Sequence, residues 1–160
     1  MKTISFFLFL LVFATEIHAQ TYVYKNERRF FNETILSVTD GYILPERTMM
    51  WSDALLTAKN NAIFKGFSTS MFDVMYTIRE GRVYAGDSHF SSDIIYTVLN
   101  GKVYRGDSNY AMDCVFTYDI ATGQIFTGDS KFPLDAILYL QGDPLTNAEL
   151  IAVLLATEFL

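Results

Sequence analysis

The sequence is poor in the residues on which several classes of protein depend. It has one cysteine, so no disulfide can form within a chain, and Cys114 lies among apolar neighbours as a small buried hydrophobe does. It has 12 Lys and Arg against 18 Asp and Glu, a net charge of −6, and no cluster of basic residues beyond one Arg pair. This charge balance argues against nucleic acid or an anionic membrane as a partner.

Histidine is scarce as well, which limits the catalytic chemistry that the chain can perform. His89 is the one histidine outside the N-terminal segment, and it follows Asp87 and Ser88 directly. Consecutive residues cannot take up the nucleophile–base–orienter geometry of a catalytic triad. No phosphate-binding loop, dinucleotide fingerprint or zinc spacing is present either. The sequence therefore predicts a protein that is not an enzyme and has no catalytic residues.

Long hydrophobic runs are missing except at the N-terminus. Lys2 precedes an apolar run over 4–14, and Ile17-His18-Ala19 forms a cleavage site with a small final residue. This pattern predicts a signal peptide over 1–19, with a buried N-terminal helix as the alternative. Cleavage near Ala19 makes the mature chain secreted or periplasmic, and nothing after it is apolar and long enough to insert in a membrane.

An internal repeat of about 20 residues dominates the rest of the chain. Half units lie at both ends, one over 22–32 and one that starts at Asp135. The complete units are 33–52, 53–72, 73–92, 93–112 and 113–134. The last unit is two residues longer, in a turn where a loop can absorb them.

Each unit reads as a strand, a tight turn, a second strand and a polar turn. In the fourth unit, Asn100-Gly101 separates two alternating apolar segments, which is the strongest short-range signal for a hairpin. With that turn, Val98 pairs with Val103 and Thr97 with Tyr104. One face then carries Ile94, Tyr96, Val98 and Val103 and is predicted to be the core, whereas the other carries Ile95, Thr97 and Tyr104. This second face is too apolar for a sheet that faces water.

The C-terminal segment predicts a helix. Thr146 and Glu149 form a capping box, and the apolar residues that follow cover most of a helical circumference. We therefore expect an all-β fold of tandem antiparallel hairpins in a curved or superhelical sheet, capped at its end by this helix. The alternative is a parallel β-solenoid. The predicted organisation is a signal peptide at 1–19, a repeat domain at 20–145 and a capping helix at 146–160.

Acidic turns are one candidate site. Each Gly-Asp-Ser is followed six residues later by the Asp that opens the next unit, and stacked repeats would bring these carboxylates into rows. Hard cations such as Ca²⁺ prefer such oxygens, although Asp and Ser in turns also bind backbone N–H groups. The predicted metal ligands are Asp87, Asp93, Asp107, Asp113, Asp129 and Asp135. No other cofactor is expected.

Aromatic and threonine rows on the second face are the other candidate. They form a ladder that would stack on sugars or on an extended peptide, with Phe90, Tyr110 and Phe132 in the adjacent turns. The alternative is that aromatic–threonine pairs only stabilise the sheet. The predicted ligand-binding residues are Tyr84, Tyr104, Phe126, Thr77, Thr97 and Thr117.

The repeated unit also resembles known sequences. The pattern Tyr-Thr-x-x-x-Gly-x-Val-Tyr-x-Gly-Asp-Ser, ending in a Leu-Thr-x-x-Glu-Leu helix, is similar to repeat arrays of uncharacterised bacterial secreted and surface proteins, over about 22–160. The Ala-Gln end of the signal peptide looks like those of Bacteroidetes exported proteins. The resemblance implies an exported repeat protein and carries no activity to transfer.

Together these patterns predict a non-enzymatic exported binding module. Its partner would be a surface protein or a polysaccharide, held by the aromatic–threonine face. The alternative is a calcium-stabilised structural or adhesion module that uses the Gly-Asp-Ser turns.

Overall fold

A computed structural model describes residues 20–25, 27 and 33–160. The predicted signal peptide lies outside these residues. The described part contains twelve strands followed by one α-helix, and none of its helices combines the length and the hydropathy that crossing a bilayer demands. In chain order the elements are β1 Gln20–Tyr24, β2 Thr34–Thr39, β3 Tyr42–Pro45, β4 Leu56–Lys59, β5 Ala62–Lys65, β6 Val74–Arg79, β7 Arg82–Ala85, β8 Ile94–Leu99, β9 Lys102–Arg105, β10 Cys114–Asp119, β11 Gln124–Thr127, β12 Ala136–Gln141 and α1 Asn147–Ala156.

The hairpins form as the turn chemistry predicts. Asn100 and Gly101 both have positive φ, 52° and 76°, and Val98 pairs with Val103 and Thr97 with Tyr104 across the turn. A side chain at Gly101 is excluded by crowding as well, because a Cβ there would lie 2.6 Å from the carbonyl oxygen of Tyr118 in the next hairpin. The tight turn of one repeat is thus packed directly against the following repeat.

The sheet closes on itself, and this corrects the predicted open superhelix and its solenoid alternative. All neighbouring strands are antiparallel, and β1 pairs with β12 through Val23 opposite Leu140. The two half units at the ends of the array therefore complete each other as a sixth hairpin. Closure removes both edges of the sheet, so the twelve strands form a closed barrel without an unpaired edge strand.

A β-bulge in the first strand of every repeat except the one that contains β4 changes which side chains face the core. Val83 lies opposite Tyr96 and Tyr84 opposite Ile94, so Ile95 is the extra residue on its strand. As a result Ile95 packs against the core, together with its equivalents Met75, Val115 and Ile137. The sequence-based assignment was wrong on this point: it placed Ile94 inside and Ile95 outside.

Helix α1 fills the barrel instead of capping the end of a sheet. The five consecutive residues 150–154 are all at most 2% exposed and belong to one core cluster with side chains from every strand. Five successive residues span more than a full helical turn, so the helix is surrounded on every side. A ring of eight strands is already filled by side chains alone, and one of twelve has room for a helix.

The helix runs from one end of the barrel to the other. Its capping box forms as predicted, with Thr146 and Glu149 bonded to each other's backbone N–H groups, and lies beside the tight turns at Gly41 and Asn60. Its last turn lies beside Lys25 and Ile35, at the opposite end. One end of the barrel therefore carries the tight turns, and the other carries the longer connections between repeats.

Candidate functional site

The threonine row serves the fold. The hydroxyl groups of Thr77, Thr97 and Thr117 each donate a hydrogen bond of 2.8 Å to a turn carbonyl, that of Gly86, Gly106 and Gly128 respectively. Thr57 does the same for Gly66 at 2.7 Å. Thr77 and Thr117 are buried. The threonines thus fasten these polar turns to their own hairpins, and their role in ligand binding stays a prediction.

The aromatic members of the predicted ladder are covered to different degrees. Tyr104 and Phe126 are buried, whereas Tyr84 is partly exposed and has the guanidinium of Arg79 5.9 Å from its ring centroid. Each aromatic ring lies directly across from a threonine, as in the pair of Tyr84 and Thr77. The second face is therefore mostly closed, and Tyr84 is the member that a ligand can reach.

The Asp that opens each repeat is held within its own connection. The hydroxyl of Ser88 donates to Asp93 and accepts the backbone N–H of Phe90 at 3.2 Å. The same arrangement joins Ser108 to Asp113 at 2.5 Å and Ser130 to Asp135. This double hydrogen bond, which we call the loop staple, fixes the course of the chain between one hairpin and the next.

The other Asp of each predicted pair forms an ion pair with a Lys or Arg side chain. Arg79 lies 3.2 Å from Asp87, Arg82 lies 2.8 Å from Asp107, and Lys102 lies 2.5 Å from Asp129. The last two ion pairs each join a residue of one hairpin to the connection that follows the next hairpin. The hydrogen bond with Asp129 raises the pKa of Lys102, and that with Asp107 raises the pKa of Arg82.

These partners separate the carboxylates that the sequence placed in rows. In each predicted pair one Asp is bonded to a Ser hydroxyl and the other to a Lys or Arg. Across the described residues, no three His, Cys, Asp or Glu side chains come together in a group that could hold a metal ion. A calcium site at these turns stays a prediction.

Large apolar side chains are exposed on the longer connections, which leave one end of the barrel and fold back along the outside of the sheet, where Trp51 and Phe67 contact Tyr42 and Asp107 pairs with Arg82. Because the sheet is antiparallel throughout, the five described connections that follow β3, β5, β7, β9 and β11 meet at this end. We call these side chains the apolar crown: Met49, Met50, Trp51, Phe67, Met71, Phe72, Phe90, Tyr110, Met112, Phe132 and Leu134. At the opposite end, the described exposed hydrophobics are single residues such as Leu99 and Ile120.

The crown side chains are held outwards by ordered backbone. Phe72, Met112 and Leu134 are 99%, 90% and 98% exposed, and each directly precedes a stapled Asp in a short 3-10 turn. Large apolar side chains that are exposed together on successive connections make this surface a candidate interaction site.

The crown is densest on the connections at 46–55 and 66–73. Tyr42 lies between two crown side chains, with ring centroids 5.7 Å from Trp51 and 5.1 Å from Phe67. The ammonium of Lys59 lies 3.9 Å from the centroid of Tyr42 and pairs with Asp40. We call this half of the crown the Met–aromatic patch: Met49, Met50, Trp51, Phe67, Met71 and Phe72.

Open grooves run between neighbouring hairpins on the outside of the barrel. One of about 400 Å³ is lined by Arg82, Thr97, Asp107 and Tyr110, and one of about 380 Å³ lies in the corresponding place one repeat earlier. Their floors are the threonine row and their walls include the ion pairs. Tyr110 belongs to both the groove and the crown, so the two surfaces are continuous.

Sequence reasoning identified some residues of the crown and missed the most exposed ones. Phe90, Tyr110 and Phe132 were considered as additions to the ladder. Phe72, Met112 and Leu134 were missed, although one signal was present: a large apolar residue directly before the Asp that opens a repeat.

The fold and the repeats together define a class: an all-β ring of six hairpins built from one recurring unit. The chain belongs to the 6-fold beta flower protein family, whose model matches residues 16–123. Six-fold repetition agrees with the six hairpins that closure produces. Comparisons with the curated proteins and with the solved structures gave no match.

Proposed function

We propose that the protein is a non-enzymatic binding module of an exported protein, and that the apolar crown is its contact surface. The observation that carries this proposal is the crown itself, eleven large apolar side chains exposed on the connections between the hairpins of a closed barrel. Export rests on the N-terminal pattern at 1–19, which ends one residue before β1 begins.

Rigidity of the crown supports a binding role. Each staple ties a Ser to an Asp five residues later, and each threonine ties the same connection to the sheet. A surface whose side chains are already fixed loses little conformational entropy when a partner binds. Polar groups around the crown are thus occupied in holding its shape, which favours recognition over catalysis.

The exposed part of the predicted ladder gives a second place where a ligand could bind. Tyr84 is the one predicted aromatic that is not buried, and it borders the outer surface between hairpins. The crown has far more accessible apolar surface, so we place the main contact there and treat Tyr84 as a competing site that the same experiment resolves.

The test is a binding screen of the mature chain against an array of polysaccharides and a panel of surface proteins. Hits are measured again with Phe72→Ser/Leu134→Ser, with Tyr84→Ala, and with the control Ile120→Ser in a tight turn whose groove contains no crown residue. We expect the crown variant to lose binding by roughly tenfold or more and the control to retain it. Binding that survives in the crown variant, or that only Tyr84→Ala removes, would overturn the crown as the contact surface.

A further inference from the structure

Carboxylates lie among the apolar side chains of the crown. The staple Asp residues are Asp53, Asp73, Asp93, Asp113 and Asp135, one on each described connection. Each accepts a hydrogen bond from a Ser or Thr hydroxyl, and none forms an ion pair within the described residues. A hydroxyl stabilises a carboxylate without neutralising it, so the crown carries negative charge next to its apolar surface.

Cations at the same end do not balance these carboxylates. Arg47 lies over the ring of Tyr22 at 4.2 Å, and Lys131 lies 3.5 Å from Asp119. Lys65 and Arg105 end their strands at this side and are exposed. Lys25 is exposed at this end too, and Arg47 keeps its charge over the ring of Tyr22, so four cations lie opposite five staple carboxylates. The exposed Glu27 and Glu46 at the same end leave an acidic excess, in a chain whose net charge is −6.

Methionine is concentrated on this surface. Of the six methionines in the chain, Met49, Met50, Met71 and Met112 are exposed on the crown. Methionine has an unbranched, polarisable side chain that adapts to differently shaped apolar partners, and it is over-used at surfaces that bind amphipathic segments. Three of the four lie in the Met–aromatic patch, next to Asp53 and Asp73.

Other occupants fit these observations less well. A second copy of the chain would bring two acidic crowns together, and like charges across an interface oppose binding. An anionic lipid surface would meet the same repulsion. Sugars stack on flat aromatic faces, whereas half of the Met–aromatic patch is methionine: Met49, Met50 and Met71.

We propose that the Met–aromatic patch binds a basic amphipathic polypeptide segment. Its apolar side chains contact Met71 and Phe72, and its Lys or Arg side chains pair with Asp53 and Asp73. This rests on the proposed function, since it names the partner chemistry for the same surface. Apolar contact supplies the affinity, and the carboxylates select a cationic partner over a neutral or anionic one.

Trp51 gives a direct readout, because it is the single tryptophan of the chain and lies in the patch. The probe is a synthetic helical peptide of Lys and Leu that contains no tryptophan. Two matched peptides replace every Lys with Glu, or every Leu with Ser. We expect a saturable shift of Trp51 emission with the Lys–Leu peptide, weakened by added salt, and binding at least roughly tenfold weaker with either matched peptide.

Variants test the charged part and the apolar part of the contact separately. Asp53→Asn/Asp73→Asn keeps a hydrogen-bonding side chain at each staple and removes the charge. This variant should bind the Lys–Leu peptide roughly tenfold more weakly. The control is Asp143→Asn, from the exposed segment between β12 and α1 at the opposite end. Met71→Ser/Phe72→Ser should abolish the emission shift, and circular dichroism confirms that each variant is folded.

The possible results overturn different statements. If the Glu–Leu peptide or a vesicle of neutral phosphatidylcholine binds the patch as well as the Lys–Leu peptide, or if the free chain dimerises through Phe72 in sedimentation, the basic partner is wrong and the crown remains the contact surface. If the Lys–Leu peptide binds Met71→Ser/Phe72→Ser unchanged, the inference fails and the role of the crown in the proposed function is contradicted too.

Discussion

Substitutions on every side of helix α1 should destabilise the fold, because the barrel surrounds the helix. Ile151 and Val153 point to nearly opposite sides of a helix that turns 100° per residue, and Leu150 and Leu154 point between them. Ala152 points to the remaining side, and all five side chains are at most 2% exposed. A helix that lay on the surface of the sheet would expose at least one of the five.

The size of the effect follows from the burial of each side chain. Leu150→Ala, Ile151→Ala and Leu154→Ala should each lower the free energy of unfolding by about 2–5 kcal/mol, since each removes buried methyl groups and leaves a cavity. Val153→Ala removes two such groups and should cost about 1.6 kcal/mol before any cavity term. For a chain of this length, a loss of about 3 kcal/mol lowers the Tm by roughly 6–12 °C.

Urea unfolding measured both by circular dichroism and by Trp51 fluorescence provides the assay. The matched control is Asn147→Ala, an exposed position in the first turn of the same helix, which should change stability by less than about 0.5 kcal/mol. If Ile151→Ala or Val153→Ala left the unfolding midpoint unchanged while Leu150→Ala lowered it, one side of the helix would face water. The enclosed helix would then be wrong.

Three further predictions concern the sheet and its turns. Thr117→Val should lower the free energy of unfolding by about 1–3 kcal/mol, because it leaves the carbonyl of Gly128 without its partner. Thr117→Ser should recover part of this free energy, and equal stability of both variants in urea would contradict the stabilising role of this hydrogen bond. Burial raises the pKa of the Cys114 thiol, so iodoacetamide at mildly alkaline pH should label the folded chain far more slowly than the denatured one, and equal labelling rates would contradict the burial. Unfolding should also become easier as the pH rises above the ordinary thiol pKa, because the unfolded chain loses that proton first. Removal of calcium with EDTA should leave the Tm unchanged, because the acidic turns already have hydroxyl and cationic partners; a Tm that calcium raises and Asp107→Asn no longer shows would establish the metal site.

The local structure could be predicted because its causes are local. Asn100-Gly101 specifies its turn through two positive φ values, and Thr146 with Glu149 specifies the start of the helix. The all-β antiparallel fold with one C-terminal helix is confirmed for the same reason. Each of these features depends on residues only a few positions apart, and the repeat then multiplies one hairpin along the chain.

Closure could not be read from the repeat, because it depends on the two chain ends. Val23 lies in the first strand and Leu140 in the last, and no turn between them predicts that these two residues pair. The signal was the presence of half units at both ends, which only a ring uses. The bulge at Ile95 was also hidden, since two successive apolar residues look the same in sequence whether a strand is regular or bulged.

The candidate site was harder to predict than the fold. The accessibility of Tyr104 and Phe126 could not be predicted, because strand alternation assigns residues to a face without saying what covers that face. The crown depends on a tertiary fact, that the connections between repeats converge at one end. Exposure of Phe72 and Leu134 follows from that convergence and from the staples, which no single repeat reveals.

The pairing of the first strand with the last also determines when the chain can fold. Tyr24 and Gln141, which share a hydrogen bond across this seam, are 117 residues apart, so nascent chain emerging from the ribosome cannot close the ring before synthesis is nearly complete. Contacts so distant in sequence form slowly, and an open array has two unpaired edges until they form. The export proposed above would fit this delay, because the last strand and the helix behind it are made last and the barrel would then close after translocation.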